Sequence, residues 1–172
     1  MRVGGDCHSN ARRMFHVLVS LVLIPFVGSA GCDRRAVDVT TPHNFSTPEG
    51  AVLCLEDAYR ARDIEAAVRC KDFRIEAHLM LREVEQDFSS DEEVLRQTAE
   101  GLELAYRKMI DTNGFPDFDG LDCRFVTRTP YKKNNDIVVV TEICTFADGG
   151  TSTQRILVAK TESGWRVLNP LD

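Results

Sequence analysis

The pattern of hydrophobic and polar positions changes its period once along the chain, after Gly120. Before that point, apolar residues recur every three to four positions, which is the spacing of amphipathic helices. After it, β-branched and aromatic residues alternate in short runs separated by turn signals, as in antiparallel strands. The order predicts an α+β domain in which N-terminal helices pack on a four-stranded antiparallel meander.

Local start and stop signals divide the helical half. Thr47 is a hydroxyl cap followed by a proline at the first helical position. Asp63 caps the next stretch, and the periodicity over residues 63–86 allows either one bent helix or two. Ser90, with a glutamate three residues later, forms a capping box before the longest helix, which should end at Gly114.

The strand half contains four runs with short connections, which force antiparallel hairpins. Alternation along the runs defines two faces, and the face carrying Ile137 and Val139 is expected to be the core side. The opposite face carries Val138 and Val140. The predicted strands are Cys123–Tyr131, Asp136–Phe146, Thr151–Ala159 and Trp165–Leu168.

A charged pair is predicted on the second face. If Asp148 and Gly149 form a two-residue turn, Glu142 lies opposite Arg155 on the neighbouring strand. One interpretation places this pair inside a ligand pocket. The other is a surface ion pair that contributes less than about 1 kcal/mol.

The N-terminus has the organisation of a secretory signal. Arg12 and Arg13 precede an apolar run over residues 14–27, and small residues follow at 28–31. The run is shorter than the roughly 20 residues that a membrane-spanning helix needs. Residues 1–31 are therefore predicted to be a signal peptide, and export to the cell envelope follows.

The residues at the end of this signal, Gly28-Ser-Ala-Gly-Cys32, resemble the lipobox of bacterial lipoproteins. The resemblance implies that Cys32 is acylated and becomes the first residue of the mature protein. Ser29 stands where the lipobox prefers leucine, which leaves ordinary cleavage after Ala30 as the alternative. Asp33 resembles the signal that retains enteric lipoproteins in the inner membrane, facing the periplasm, rather than in the outer membrane. Residues 32–46 have no sustained period and are interpreted as a lipid-anchored tether.

Four cysteines remain for the domain at 47–172, an even number in an oxidising compartment. If residues 132–135 form a four-residue loop, Cys123 lies opposite Cys144 on the neighbouring strand. Around a helix turn at residues 61–62, Cys54 and Cys70 lie at the same level, so the predicted pairs are Cys54 with Cys70 and Cys123 with Cys144. Each disulfide would close a loop of roughly 15–20 residues and stabilise the fold by about 3 kcal/mol. The rival, a metal site made of the same four thiols, lacks a Cys-x-x-Cys or Cys/His spacing, so no metal site is predicted.

The charge of the mature chain excludes a nucleic-acid role. Removal of residues 1–31 takes away three arginines and one aspartate, so the formal net charge falls from −6 to −8. Nucleic-acid binding needs a basic face. An acidic surface is compatible with a basic protein partner, and equally with simple solubility.

We find no catalytic signature and no cofactor motif. A phosphate-binding glycine loop, a serine nucleophile elbow and paired metal-binding histidines are all missing from the sequence. The loop carrying Phe115, Pro116 and Phe118 is the surface candidate for partner binding, because two aromatic rings flank a rigid turn. The alternative is that both rings pack under the edge of the sheet.

Three segments resemble the nuclear transport factor 2-like (NTF2-like) superfamily: the Thr47-Pro-Glu start, Ala58–Ala67 and Ala159–Val167. The resemblance covers residues 47–170 and implies a cone-like fold, with a curved sheet around helices and a pocket between them. That superfamily contains isomerases and dehydratases, and also binding modules, lipoproteins and immunity proteins. We can map no acid/base set of its enzymes onto this chain.

These observations lead to three functional hypotheses. The first is a lipid-anchored envelope binding module with a protein partner, in its sharpest form an immunity protein that neutralises a toxin. The second is a small-molecule isomerase or dehydratase that uses a cone-shaped pocket. The third is a non-catalytic envelope scaffold.

Overall fold

A computed structural model describes residues 41–84 and 88–169 of the chain. Within these residues, helices precede an antiparallel sheet with the strand order β1-β2-β3-β4, which confirms the α+β arrangement. No helix in the described part is long and apolar enough to cross a bilayer. The elements are α1 (Pro48–Arg60), α2 (Ile64–Arg69), α3 (Phe73–Val84), a 3₁₀ turn (Phe88–Ser90), α4 (Glu92–Asn113), β1 (Asp122–Tyr131), β2 (Asn134–Thr145), β3 (Thr151–Thr161) and β4 (Gly164–Val167).

Capping residues account for the helix boundaries. Thr47 and Asp63 are the N-caps of α1 and α2, and each side chain accepts a hydrogen bond from the amide three residues further on. For α4 the cap is Asp91 rather than Ser90, because the Asp91 carboxylate accepts hydrogen bonds from two amides of the first turn. Gly114 ends α4 with a φ of 82°, a conformation that favours glycine.

The stretch that follows Asp63 is two helices because the chain pairs with β4 between them. Lys71 forms a parallel bridge with Val167. The Val167 amide donates a hydrogen bond to the Cys70 carbonyl at 2.8 Å. A backbone that pairs with a strand has left the helical path, so α2 and α3 are separate.

The last residues of the predicted tether pack against the domain. The Trp165 amide donates a hydrogen bond to the Phe45 carbonyl at 2.8 Å. The carbonyl oxygens of Pro42 and Asn44 lie so close to Gly50 that a Cβ there would be 2.6 and 2.3 Å from them. The N-terminal segment therefore covers the start of α1.

Helices pack on both faces of the sheet, mainly over β2 and the second half of β3. The face carrying Val138 and Val140 packs against α1, α2 and α4 and belongs to the larger core. The face carrying Ile137 and Val139, which we expected to be the core side, packs against Leu79 of α3 in a smaller cluster. Alternation marks the two faces equally, and only the positions of the helices decide which is the larger core.

The hairpin between β1 and β2 differs from the prediction in its turn but not in its cysteine pairing. Lys132 and Lys133, both with positive φ, form a two-residue turn in place of the expected four-residue loop. Two irregularities in the pairing of β1 with β2 then shift the register back and cancel the effect of the shorter turn. Cys123 therefore still lies opposite Cys144, as predicted.

Candidate functional site

Two buried glutamates face each other between α1 and the sheet. Glu56 of α1 is 4% exposed, and Glu142 of β2 is 2% exposed. Arg60, one turn further along α1, donates a hydrogen bond to Glu56 Oε2 at 3.0 Å. The other oxygen, Glu56 Oε1, receives no hydrogen bond from an amide, hydroxyl or cation of the described residues.

A proton shared between the two carboxyl groups explains this arrangement. Burial, then the charge of Glu56 and a hydrogen bond with it, raises the pKa of Glu142 to about 8. Burial also raises the pKa of Glu56, whereas the Arg60 guanidinium lowers it. Glu142 is therefore the protonated member at neutral pH, and it shares a hydrogen bond with the Glu56 carboxylate.

The predicted pair of Glu142 with Arg155 is not formed. Glu142 lies opposite Gln154, and Arg155 lies opposite Thr141, one residue out of the predicted register. Because the connection spans residues 146–150 instead of a two-residue turn, the pairing slips by one. A slip of one residue moves a side chain to the other face, so Arg155 is exposed while Glu142 is buried.

A disulfide lies beside Glu142. Cys123 and Cys144 are bonded with an S–S distance of 2.06 Å. Glu142 precedes Cys144 by two residues on β2, so both side chains project from the same face of the sheet. One carboxylate oxygen of Glu142 and the two sulfur atoms all lie within 4.8 Å of one another.

An open groove of about 550 Å³ lies between α1, α2, the N-terminal segment and β4. We call it the α1–α2 groove. Small side chains of the two helices line it together with the ring of Phe45, and its charged groups are Asp57, Asp63, Arg69 and Arg166. Sequence reasoning missed this groove, because its residues come from four separate segments.

The acidic groups of the α1–α2 groove are already paired, whereas its arginines are not. The Asp57 carboxylate contacts His43 Nδ1 of the N-terminal segment. The Asp63 carboxylate caps α2. Arg69 and Arg166 form no salt bridge within residues 41–84 and 88–169. The groove therefore presents two guanidinium groups that form no salt bridge in the described part of the chain, although its two arginines and two aspartates balance in formal charge.

The guanidinium of Arg166 is held in place. It lies over the ring of Phe45, with Cζ 4.0 Å from the ring centroid. Nη1 donates to the Trp165 carbonyl at 2.8 Å and Nη2 donates to Ser163 Oγ at 2.9 Å. A guanidinium has five N–H donors, so further donors remain for a ligand.

Two free thiols also line the groove. Cys54 and Cys70 are unbonded in the structure, so the predicted Cys54–Cys70 disulfide is not formed. The sequence placed the two cysteines at the same level along neighbouring helices. It did not determine the rotation of each helix, which decides whether the two side chains point toward each other. Burial, followed by the neighbouring Cys54, raises the pKa of Cys70 to about 11, and burial also raises the pKa of Cys54. Both thiols stay protonated at neutral pH, and a protonated thiol is a poor nucleophile.

The aromatic rings proposed for partner binding pack on α1. The Phe118 ring stacks on Tyr59 at a centroid distance of 6.2 Å, and the guanidinium of Arg60 lies 5.2 Å from the Phe118 centroid. Phe115 contacts Tyr59 from another side, with the centroids 6.2 Å apart. Phe115, Pro116 and Phe118 are half-buried. Partner binding by this loop stays a prediction.

Sequence reasoning also did not predict a buried network of polar contacts around Lys71. The side chain of Lys71 is 1% exposed and donates a hydrogen bond to Asn169 Oδ1 at 2.7 Å. Glu76 lies 3.8 Å from the Lys71 ammonium and accepts two hydrogen bonds from Asn169. Burial lowers the pKa of Lys71 to about 8, and Glu76 opposes this. These contacts tie the chain after β4 to α3.

The remaining predicted positions are not reached by the structure. Cys32, the signal at residues 1–31 and the tether up to residue 40 lie outside the described residues. Lipidation and envelope location therefore stay predictions.

Comparison with known proteins leaves the function open. A scan against protein families finds no match for this chain, and a search of curated proteins finds none. Among solved structures, the chain is similar to a "Putative NTF2-like transpeptidase" from Campylobacter jejuni, with 16% identity and a TM-score of 0.38. The similarity covers 73% of this chain and 100% of that one. A similarity at this TM-score assigns neither a family nor an activity to this chain.

Proposed function

We propose that this chain is a lipid-anchored binding protein of the cell envelope whose α1–α2 groove receives a carboxylate-bearing segment of a partner protein. The observation that carries the proposal is the pair of arginines, Arg69 and Arg166, at the groove without a salt bridge in the described part of the chain. A planar guanidinium matches the two oxygens of a carboxylate.

The rest of the groove suits a short peptide segment. Its volume of about 550 Å³ lies within the range of roughly 300–1,000 Å³ typical of ligand sites. Phe45, Ala58 and Ala66 offer apolar contact beside the arginines. An apolar side chain next to an acidic residue would therefore satisfy both parts of the groove.

The chemistry of the site favours binding over catalysis. The two groove thiols are protonated at neutral pH, because burial raises the pKa of both. Glu56 and Glu142 do not line the groove, and each is almost fully buried. A nucleophile or general base needs access to its substrate in the correct protonation state.

The proposed location at the membrane depends on the sequence alone. The predicted signal and Cys32 would hold the domain at the membrane through an N-terminal lipid. Intact-mass analysis of membrane-extracted protein tests this step, and Cys32→Ser is its matched variant. We expect an acyl mass on the parent and release of the variant from membranes. A parent protein without acyl mass would contradict the lipid anchor, but it would not affect the binding function proposed for the α1–α2 groove.

Toxin neutralisation is the sharpest form of the proposal. An immunity protein is needed only while its toxin is present. Deletion of the gene should therefore be lethal in cells that make the toxin and harmless in cells that lack it. Survival of the deletion in toxin-producing cells would exclude this form.

Amide-resolved NMR titration tests the groove directly. The probe is the dipeptide N-acetyl-Phe-Glu, and we expect shifts at groove amides such as Ala58, Ala61 and Ala66. Arg69→Ala should weaken binding at least tenfold, since a charge-assisted hydrogen bond contributes about 1.5–3 kcal/mol. Arg155→Ala, which removes an exposed arginine outside the groove, should not. Equal weakening by both variants, or equal binding of N-acetyl-Phe-Lys-amide, would contradict the proposal.

A second candidate function is a small-molecule isomerase or dehydratase, and the Glu56–Glu142 pair is the observation that favours it. Carboxyl pairs with one raised pKa are typical of acid/base sites. Both carboxyl groups are almost fully buried, so substrate access would require neighbouring side chains to move. Turnover of a carbonyl substrate that Glu142→Gln abolishes would support this candidate over the binding module.

A further inference from the structure

The corner formed by β1 and β2 brings together ligand atoms that metals prefer. The two sulfurs of Cys123 and Cys144 and a carboxylate oxygen of Glu142 lie within 4.8 Å of one another, and Cys144 and Glu142 are buried. In the described structure the sulfurs are bonded to each other. A metal ion needs them as separate thiolates.

We propose that reduction of the Cys123–Cys144 disulfide converts this corner into a zinc site, with both thiolates and the Glu142 carboxylate as ligands. The proposal goes beyond the binding function and is independent of the α1–α2 groove. It also departs from the expectation, drawn from cysteine spacing, that the chain has no metal site.

The geometry requires the two sulfurs to separate and the carboxylate to approach them. Zinc binds sulfur at about 2.3 Å and carboxylate oxygen at about 2.0–2.2 Å, so neighbouring ligands of a tetrahedral site lie roughly 3.5–3.8 Å apart. Once reduced, the sulfurs must move apart from the roughly 2.0 Å of a disulfide bond to this spacing, and the carboxylate oxygen, which lies within 4.8 Å of both, must approach by up to about 1 Å. Two thiolates with one carboxylate favour zinc over magnesium or calcium, which prefer oxygen ligands alone.

Glu56 supports the corner through Glu142. It is only 4% exposed, Arg60 donates a hydrogen bond to its Oε2, and its carboxyl group is hydrogen-bonded to that of Glu142. Glu56 is outside the set of atoms that lie within 4.8 Å of one another, so its role is to orient Glu142 rather than to bind zinc.

The chemistry balances with a dithiol as the reductant. Thiol–disulfide exchange breaks the Cys123–Cys144 bond, and each sulfur gains one electron and one proton while the dithiol becomes a disulfide. Zinc then displaces the two thiol protons and the proton shared between Glu142 and Glu56. Exchange with a disulfide of the same chemical class, which is reduced back to the dithiol, would re-form the Cys123–Cys144 bond and release the metal.

The other thiols of the domain are the natural competitor. Cys54 and Cys70 share the α1–α2 groove, but the nearest groove carboxylate, Asp57, is held by His43. Within the described residues, no third ligand atom lies close enough to Cys54 and Cys70 to form a three-residue cluster with them. The two sites can be separated by substitution.

Cobalt titration tests the proposal, because Co²⁺ bound to thiolates gives a charge-transfer band that free Co²⁺ lacks. The full chain is purified in detergent with Cys7→Ser and Cys32→Ser in every sample, and is reduced with a phosphine. We expect one Co²⁺ per chain in the reduced parent, displaced by Zn²⁺, and no band in the oxidised parent. Glu142→Gln should weaken Zn²⁺ binding at least tenfold.

Matched double variants locate the site. Cys123→Ser with Cys144→Ser should abolish the band, whereas Cys54→Ser with Cys70→Ser should keep it. The opposite pattern, or no band in the reduced parent, overturns the proposal. If reduction unfolds the protein, far-ultraviolet circular dichroism will show the loss of secondary structure. Recovery of the spectrum when zinc is added supports the site. Failure to recover, together with no band, contradicts it.

Discussion

The carboxyl groups of Glu56 and Glu142 lie against each other inside the protein and share one proton, although 86 positions separate them in the sequence. Arg60 neutralises the remaining charge by a hydrogen bond to Glu56 at 3.0 Å. The pair therefore buries no net charge at neutral pH. Loss of the shared proton would leave two carboxylates facing one cation, which is unfavourable in a buried site.

The first prediction concerns stability against pH in the oxidised protein. The pKa of Glu142 is about 8 in the folded state, above the ordinary value of 4.5. The folded state then holds the proton more tightly than the unfolded state, so stability falls as pH rises from about 4.5 to about 8. Glu142→Gln keeps a donor for Glu56 and removes the titration. Urea unfolding at pH 5 and pH 8 should show a smaller difference for this variant.

The control for that prediction is Glu162→Gln, at an exposed position in the β3–β4 turn. It should leave the pH profile of the parent unchanged. A parent whose stability rises between pH 5 and pH 8, with Glu142→Gln behaving in the same way, would show that the proton is not shared.

The second prediction concerns Lys71, whose pKa is about 8 in the folded state and below its ordinary 10.5. The unfolded state binds this proton more tightly, so the contribution of Lys71 to stability rises as pH increases from about 8 to about 10.5. Lys71→Met should remove this rise, and Lys160→Met, at an exposed position of β3, should not. Chemical unfolding at pH 8 and pH 10 measures both. An unchanged profile for Lys71→Met would show that the ammonium is solvated.

The third prediction compares two helical glycines. Substitution of glycine by alanine at an open helical position stabilises the folded protein by roughly 0.5–1 kcal/mol. Gly101 of α4 is such a position, because a Cβ added there would have no atom within 4 Å. At Gly50 of α1, the same Cβ would lie 2.3 Å from the Asn44 carbonyl oxygen. Gly101→Ala should raise the melting temperature, and Gly50→Ala should lower it. A rise for both would mean that residues 42–44 do not cover α1.

The fourth prediction concerns the thiols. The protein is denatured without reductant and alkylated, and the modified residues are located by mass spectrometry. Cys54 and Cys70 should be alkylated, whereas Cys123 and Cys144 should be protected by their disulfide. Protection of all four would restore the Cys54–Cys70 bond expected from the sequence and would close part of the α1–α2 groove.

Local signals in the sequence predicted most of the fold. Thr47, Asp63 and Gly114 mark helix boundaries through interactions with their own neighbours, so their roles are readable without the tertiary structure. The pairing of Cys123 with Cys144 was also readable, because the errors in turn length and strand irregularity compensate each other.

The site was much less readable because it depends on distant contacts. The length of the β2–β3 connection moved Arg155 to the other face of the sheet, and no local pattern determines that length. No local pattern distinguishes Glu56 from the exposed carboxylates of the helices, and only the position of α1 on the sheet buries it against Glu142. The burial of Lys71 likewise depends on β4.

Site-specific photo-crosslinking in living cells tests the central claim, a membrane-tethered binding groove, most directly. A photoreactive amino acid replaces Ala61 in the α1–α2 groove or, as a control, Ala147 in the exposed β2–β3 connection. We predict a discrete protein adduct in the membrane fraction from position 61 and none from position 147. Arg69→Ala should weaken this adduct, and Arg155→Ala should not. An adduct indifferent to Arg69→Ala, or no adduct from position 61, would contradict the account.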